Sequence, residues 1–453
     1  KKINKSSLGV LALFAIVIGG VMYMYSSPIF ERNVPTIDMK TNGYWNLKTP
    51  FNITMRDVSG IKAYEIILKT KNEEIILENE QFLVAKKSLK ITLNPPKSVY
   101  AIKDDDIQLI IKATDTSKWN IMLGNTAKEV YKLKIDKRKP ELNIIANSTK
   151  IKKGGAALVI FEAKDKNIKN IYIKTSYGKK FLVQPFYKKN YYISLLAWPV
   201  TENDFRATIV ADDSSKNISE INIPLYNIHK QYRISNIKLS DKFLKGKIAQ
   251  LAEEFSQTQG VEDSIEQFKI INEVVRAKNE KLIHEITSKV STKMISNFKI
   301  NKLYPLKSAL VVAYFGDHRK YSYNKKYVSE SYHLGLDMAS VAHAEIKPQN
   351  SGDIVFADDN GIYGNMPIIS HGLGLYTLYG HCSYINVSLG DNFKEKTTIA
   401  KTGKSGYAMG DHLHFGVLIQ GIEVRPQEWM DDRWMNRNIY DIIKSAKKKI
   451  GNK

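Results

Sequence analysis

The chain changes its hydrophobic rhythm several times, and each change marks a region. From Leu8 to Tyr25 the residues are almost all apolar and none is charged, a length sufficient for a helix to cross a bilayer core. A core helix of a soluble protein would show a polar stripe, and this segment is apolar all round. From about residue 31 to 232 the pattern shortens to β-branched and aromatic runs, such as Phe51-Asn-Ile-Thr-Met55, Ile107-Gln-Leu-Ile-Ile111 and Ala157-Leu-Val-Ile-Phe161. Turn residues separate these runs, which predicts all-β sandwiches. Between about 240 and 295 the period becomes helical. Ile248, Leu251, Ala252 and Phe255 share one face, Gly260 can end that helix, and Ser264 with Gln267 reads as a capping box ahead of Ile265, Phe268, Ile271 and Val275. Two or three helices are expected, as a packed spacer or a lid over the next domain. Short strands with glycines at their joints return from about 300 to 430, and Ile439, Ile442, Ile443, Ala446 and Ile450 then stripe a short basic helix suited to docking.

A weak repeat divides the β-rich stretch in two. Pro35-Thr-Ile-Asp-Met39 matches Pro140-Glu-Leu-Asn-Ile144, and Asp57-Val-Ser-Gly-Ile-Lys62 matches Asp165-Lys-Asn-Ile-Lys169 with one residue fewer. Ala113-Thr-Asp-Thr-Ser-Lys-Trp-Asn120 aligns with Ala211-Asp-Asp-Ser-Ser-Lys-Asn217, again one residue shorter. The period, roughly 100 residues, is that of an immunoglobulin-like sandwich. The Asp and Ser clusters fit turn chemistry better than calcium binding.

The predicted class is mainly β and multidomain. It comprises a cytoplasmic tip and membrane anchor at 1–30, sandwiches at 31–136 and 137–232, a helical spacer or lid at 233–296, an antiparallel β-sheet domain at 297–436 and a basic helix at 437–453. At 453 residues with 43% hydrophobic and 25% charged content, the composition is that of folded protein. The formal charge of +22 is spread along the whole chain without a zinc-finger, basic-zipper or RNP pattern, so no nucleic-acid partner is expected. Lys1, Lys2 and Lys5 precede the apolar segment, which places the N-terminus in the cytoplasm and the remainder outside it. The Tyr-Met-Tyr-Ser-Ser-Pro stretch offers no good small-x-small cleavage site, favouring an uncleaved single-pass anchor over a signal peptide. Cys382 is the only cysteine, so no intramolecular disulfide can form. Beside His381 it reads as a small buried residue rather than a nucleophile.

Four of the nine histidines fall in three patterned places: His333-Leu-Gly-Leu-Asp337, Tyr379-Gly-His381 and Asp411-His412-Leu-His414. The last lies in a run of strand composition, so His412 and His414 project from the same face. One can bind a metal while its neighbour faces a substrate. With Asp337 supplying a carboxylate, two imidazoles and one carboxylate leave the fourth tetrahedral position open, as in a catalytic zinc site. His343 and His371, like His229, His284 and His318, lie outside these motifs and read as hydrogen-bonding loop or core residues.

These motifs, with Gly361-Ile-Tyr-Gly-Asn365 and Ser370-His-Gly-Leu-Gly-Leu-Tyr-Thr-Leu-Tyr-Gly-His381 between them, resemble the lysostaphin/LytM-type zinc metallopeptidases over about 130 residues. The resemblance implies Zn2+ held by His333, Asp337 and His414, with His381 and His412 as catalytic partners. It further implies endopeptidase action on peptidoglycan peptides during wall remodelling. An exported, inner-membrane-tethered enzyme would meet that substrate in the periplasm or outside, with the sandwiches free to engage envelope proteins. Some members of that family are non-catalytic regulators of other wall hydrolases, and this is the alternative reading. Such members typically lack zinc ligands, all of which are present here.

Overall fold

Lys5–Ser26 forms one helix in the computed structural model, which describes residues 5–96, 102 and 104–452. Its stretch Leu8–Ser26 has mean hydropathy 2.2, none of it buried, and is long and apolar enough to cross a membrane. Lys1 and Lys2, which bear on orientation, lie outside the described residues. The chain folds as two compact units, one of residues up to 140 with 167–169 and 212–218, the other of the remainder. Strands dominate both.

In the N-terminal unit a six-stranded sheet is ordered Thr36–Met39, Phe51–Lys69, Asp106–Asp115, Thr126–Ile135 and Tyr44–Trp45, with Glu74–Leu93 paired to Phe51–Lys69. Ile107, Leu109, Ile111 and Ala113 are all buried at period two, as one core-facing side of a strand requires. They close on Trp45, Phe51, Ile53 and Leu68. Three register shifts in the Phe51–Lys69 pairing with Glu74–Leu93 bend these long strands.

The acidic turns follow the internal repeat, with a correction. The Asp115 carboxylate accepts from the Asn125 backbone N–H (2.7 Å) and side-chain amide (2.8 Å), and that amide also donates to Glu31 O. The Asp213 carboxylate accepts likewise from Asn217, whose amide donates to Asp136 O. The counterpart of Asn217 is therefore Asn125 and not Asn120. Sequence proximity favoured the wrong asparagine because residues 118–124 form a loop that the second turn lacks.

One four-stranded sheet includes Ile168–Thr175 and Ala207–Asp213, and another, in the second unit, includes Tyr191–Ala197, Ala156–Lys164 and Glu141–Asn147. The C-terminal helix Asp441–Gly451 buries Ile443, Ala446 and Ile450, and Lys449 Nζ donates to Ile145 O. The sequence-predicted docking stripe is thus on the buried face. Between 241 and 287 short helices pack Leu244, Ile248, Phe268, Ile271 and Val275 into one core with Met366, Ile368, Tyr376, Leu378 and Leu418. The helix Ser264–Ile270 is capped by Asp263, whose carboxylate accepts from Ile265 N, one residue before the expected Ser264. Gln267 reaches Val261 O instead of closing a capping box. An Asp carboxylate is a strong N-cap acceptor and also suits the positive end of the helix.

Candidate metal centre

An antiparallel sheet ordered Leu310–Ala313, Leu336–Ala339, Leu413–Ile419, Leu375–Gly380, Asn365–Ser370, Gly352–Asp359 and Asn392–Phe393 holds the patterned histidines, with Ile422–Val424 paired to Leu413–Ile419. Leu413–Ile419 is its fully buried central strand. Its register sets Asp337 directly across from His414 on one side and Gly380 across from His414 on the other. His381 follows Gly380 with φ 64, a left-handed conformation costly for a non-glycine residue. A Cβ on Gly335 would lie 2.5 Å from His414 Cε1 and Nε2, so only glycine lets this backbone pass the imidazole.

Asp337 Oδ1 lies 2.9 Å from His333 Nε2 and 2.9 Å from His414 Nδ1, and the two nitrogens are 3.2 Å apart. Ligands about 2.0–2.1 Å from a tetrahedral zinc stand about 3.3 Å from one another, close to these spacings. His333 Nδ1 donates to the Tyr314 carbonyl at 2.9 Å. A carbonyl only accepts, so Nδ1 carries a proton and Nε2 is the atom turned to the aspartate oxygen. Two imidazole nitrogens and one carboxylate oxygen thus converge on one point, as the ligands of a divalent metal do. The donor set therefore fits a divalent metal.

The remaining imidazoles are oriented the same way. His381 Nδ1 donates to Ser405 O (2.9 Å) and His412 Nδ1 to Gly410 O (2.8 Å), so Nε2 is the atom each ring offers to the cavity. The His381 ring stands 4.9 Å from that of His412 and 5.8 Å from that of His414, and His412 Nε2 is 3.8 Å from Asp337 Oδ1. Burial, joined by the charges of His414 and His412, pushes His381 down to about 3. Burial also lowers His414. Burial alone would raise the Asp337 carboxyl, but His333 and His414 outweigh it and hold the group well below its usual range. A His414 imidazole pushed down and an Asp337 carboxyl held low are in the neutral and ionised states that metal ligands require.

All five sequence-predicted residues line one cavity of about 570 Å³. The structure adds residues that the sequence did not single out. Phe243 and Arg276 come from the helical segment, and Arg319 Nη2 reaches within 3.9 Å of Asp337 Oδ2. The Tyr363 ring meets His414 edge-on at 5.5 Å, and burial together with the charge of nearby Glu280 pushes its hydroxyl well up. No spacing rule links positions 243, 276 or 280 to the motifs, so only tertiary packing could reveal them. Of the other histidines, His371 bonds Thr377 at 2.8 Å and His284 bonds Glu423 at 2.8 Å. His343 bonds Ser383 at 3.0 Å. Cys382 is buried with its thiol pushed up to about 12 by burial, inert as a nucleophile.

Residues 331–426 match the model of Peptidase family M23. The chain is similar to stage II sporulation protein Q of Bacillus subtilis (strain 168), 31% identical over 114 residues, or 24% of this chain and 39% of that protein. It is similar to DD-carboxypeptidase/endopeptidase Mpg of Neisseria meningitidis serogroup B, 34% identical over 94 residues, or 21% of this chain and 22% of that protein. The chain thus spans well under half the length of these relatives. Among solved structures, the catalytic domain of lysostaphin from Staphylococcus simulans is 28% identical, covers 22% of this chain and 79% of its own, and superposes with a TM-score of 0.21.

Proposed function

From its C-terminal Peptidase family M23 domain, we propose that this chain is a zinc metalloendopeptidase that hydrolyses peptide bonds of peptidoglycan. It is held to the inner membrane by its N-terminal helix, with the C-terminal domains in the periplasm or outside. The observation that carries the reading is the convergence of His333 Nε2, Asp337 Oδ1 and His414 Nδ1 within 3.2 Å of one another, the spacing of ligands around one divalent cation. His333, Asp337 and His414 would hold the zinc, whose Lewis acidity polarises a carbonyl and acidifies water.

The chain's own part in the reaction falls to His381 and His412. Each has Nδ1 tied to a backbone carbonyl, so the ring cannot turn and Nε2 is the free basic atom. Such a pair accepts the proton released by the attacking water, donates to the tetrahedral oxyanion and returns a proton to the leaving amine. Burial keeps His381 unprotonated, as a base at neutral pH must be. Retention of every donor atom supports hydrolysis over a purely regulatory role. Purified chain supplied with zinc should release peptides from isolated sacculi, and a chelator should stop the release until zinc is restored. Release unaffected by chelation overturns the assignment.

A further inference from the structure

Three exposed apolar side chains stand together where the membrane-length helix ends. Ile121, Met122 and Leu123 are 91%, 73% and 67% exposed. They sit in the loop that distinguishes the first repeat from the second. Ten positions separate Asp115 from Asn125 and four separate Asp213 from Asn217, yet the same hydrogen bonds join each pair. The first turn thus carries six residues that its closure does not need. Three of them, Asn120, Ile121 and Met122, are held left-handed at φ 54, 55 and 66, whereas the second turn uses Lys216 alone. A β-branched residue in that conformation is strained. The backbone bonds Met122 N to Lys118 O and Gly124 N to Trp119 O hold the tip in shape, and Lys62 Nζ fastens Leu123 O.

The loop is tied to the end of the helix. Trp119 packs edge-on against Tyr25 at 6.5 Å, and the Arg32 guanidinium lies 4.1 Å over Tyr25 and 5.5 Å from the Trp119 ring. Lys118 N donates to Ile29 O. Tyrosine, tryptophan and arginine gathered at the end of an apolar helix are the residues of a bilayer interface. Exposed Val58, Leu83 and Val84 lie nearby: Thr116 bonds Ser59 O and Gly60 O, and a Cβ on Gly60 would touch Ala85. The Asp115 carboxylate at the loop base turns inward to Ser117 and Asn125, so it does not oppose an anionic surface.

We propose that this end of the N-terminal unit docks on an anionic phospholipid bilayer, with Ile121, Met122 and Leu123 inserted below the headgroups and Arg32 and Lys118 against the phosphates. The docking rests on the reading of the helix as a membrane anchor. It fixes the N-terminal unit against the surface, where a helix followed directly by a free linker would let it swing.

Nitroxide labels on the full chain in phosphatidylcholine–phosphatidylglycerol vesicles test it. Cys382 is buried and does not compete for label. Labels on Leu123→Cys and, separately, Met122→Cys should show an oxygen-to-nickel-chelate accessibility ratio several-fold above that at Lys216→Cys in the short turn. A label on Val17→Cys reports the helix itself. Lipid-like values at 17 with water-like values at 122 and 123 overturn the docking and leave the anchor standing. Water-like values at 17 overturn the anchor, and the proposal with it.

Discussion

The two walls of the candidate metal cavity are built by different means. On one side the sheet places Asp337, His414 and, through Gly380, His381 by ladder register. Backbone hydrogen bonds fix the strands from which these side chains project. On the other side the helices between 241 and 287 bring Phe243 and Arg276 by side-chain packing, with Phe243 stacked 6.0 Å from Tyr407. On the proposed function, the contrast teaches that chemistry would depend on the sheet and access on the helices. It also shows that the helical wall is no loose cover. Leu244, Ile248, Phe268, Ile271 and Val275 share one core with sheet residues, and fully burying each such side chain is worth about 1.5–3 kcal/mol. Swinging the segment away would expose Met366, Ile368 and Tyr376 to water.

The largest test of this contrast is at His381. His381→Ala should lower kcat by ~10²–10⁴ while metal content stays at the wild-type value, because the residue moves protons without holding the ion. Loss of metal on that substitution would erase the division within the sheet. The next effect is expected at the junction of the two walls, where Glu280 lies near Tyr363 and is pushed up to about 7 by burial, above an ordinary 4.5. The folded chain holds this proton more tightly than the unfolded chain. Its contribution is therefore fully present below about 4.5 and is lost as pH rises to about 7, by at most about 3 kcal/mol. Glu280→Gln should flatten that part of the stability curve, measured by denaturant unfolding at several pH values. An unchanged slope would show that the junction is not where the two walls are coupled. The smallest effect belongs to the helical wall: Phe243→Ala should raise KM by up to ~10-fold and leave kcat nearly unchanged. A fall in kcat equal to that in kcat/KM would place the helices in the chemistry as well.

The local motifs were legible because their spacing is itself structural. His-x-His on a strand puts both rings on one face, and the structure has His412 and His414 facing Asp337 together. The apolar helix and the period-two strands were legible for the same reason. Residue spacing alone could not convey how distant positions pair, and only the family resemblance grouped the metal ligands in advance. Asp337 and His414 are 77 positions apart and meet through sheet register. Tyr363 is in a recognisable Gly-Ile-Tyr-Gly run, yet its role beside His414 depends on Glu280 from another element. The misplaced asparagine of the repeat has a similar cause, since hydrogen bonds conserve the turn across six extra residues while linear matching favours the nearest Asn.

Hydrolysis by this chain stands or falls on whether three side chains share one ion. Atomic emission on purified, metal-exchanged protein should find a single equivalent of zinc per chain. His414→Ala should lose it while circular dichroism keeps the wild-type β signature. A folded wild-type chain that takes up no zinc, or a His414→Ala variant that retains the full equivalent, would contradict the claim.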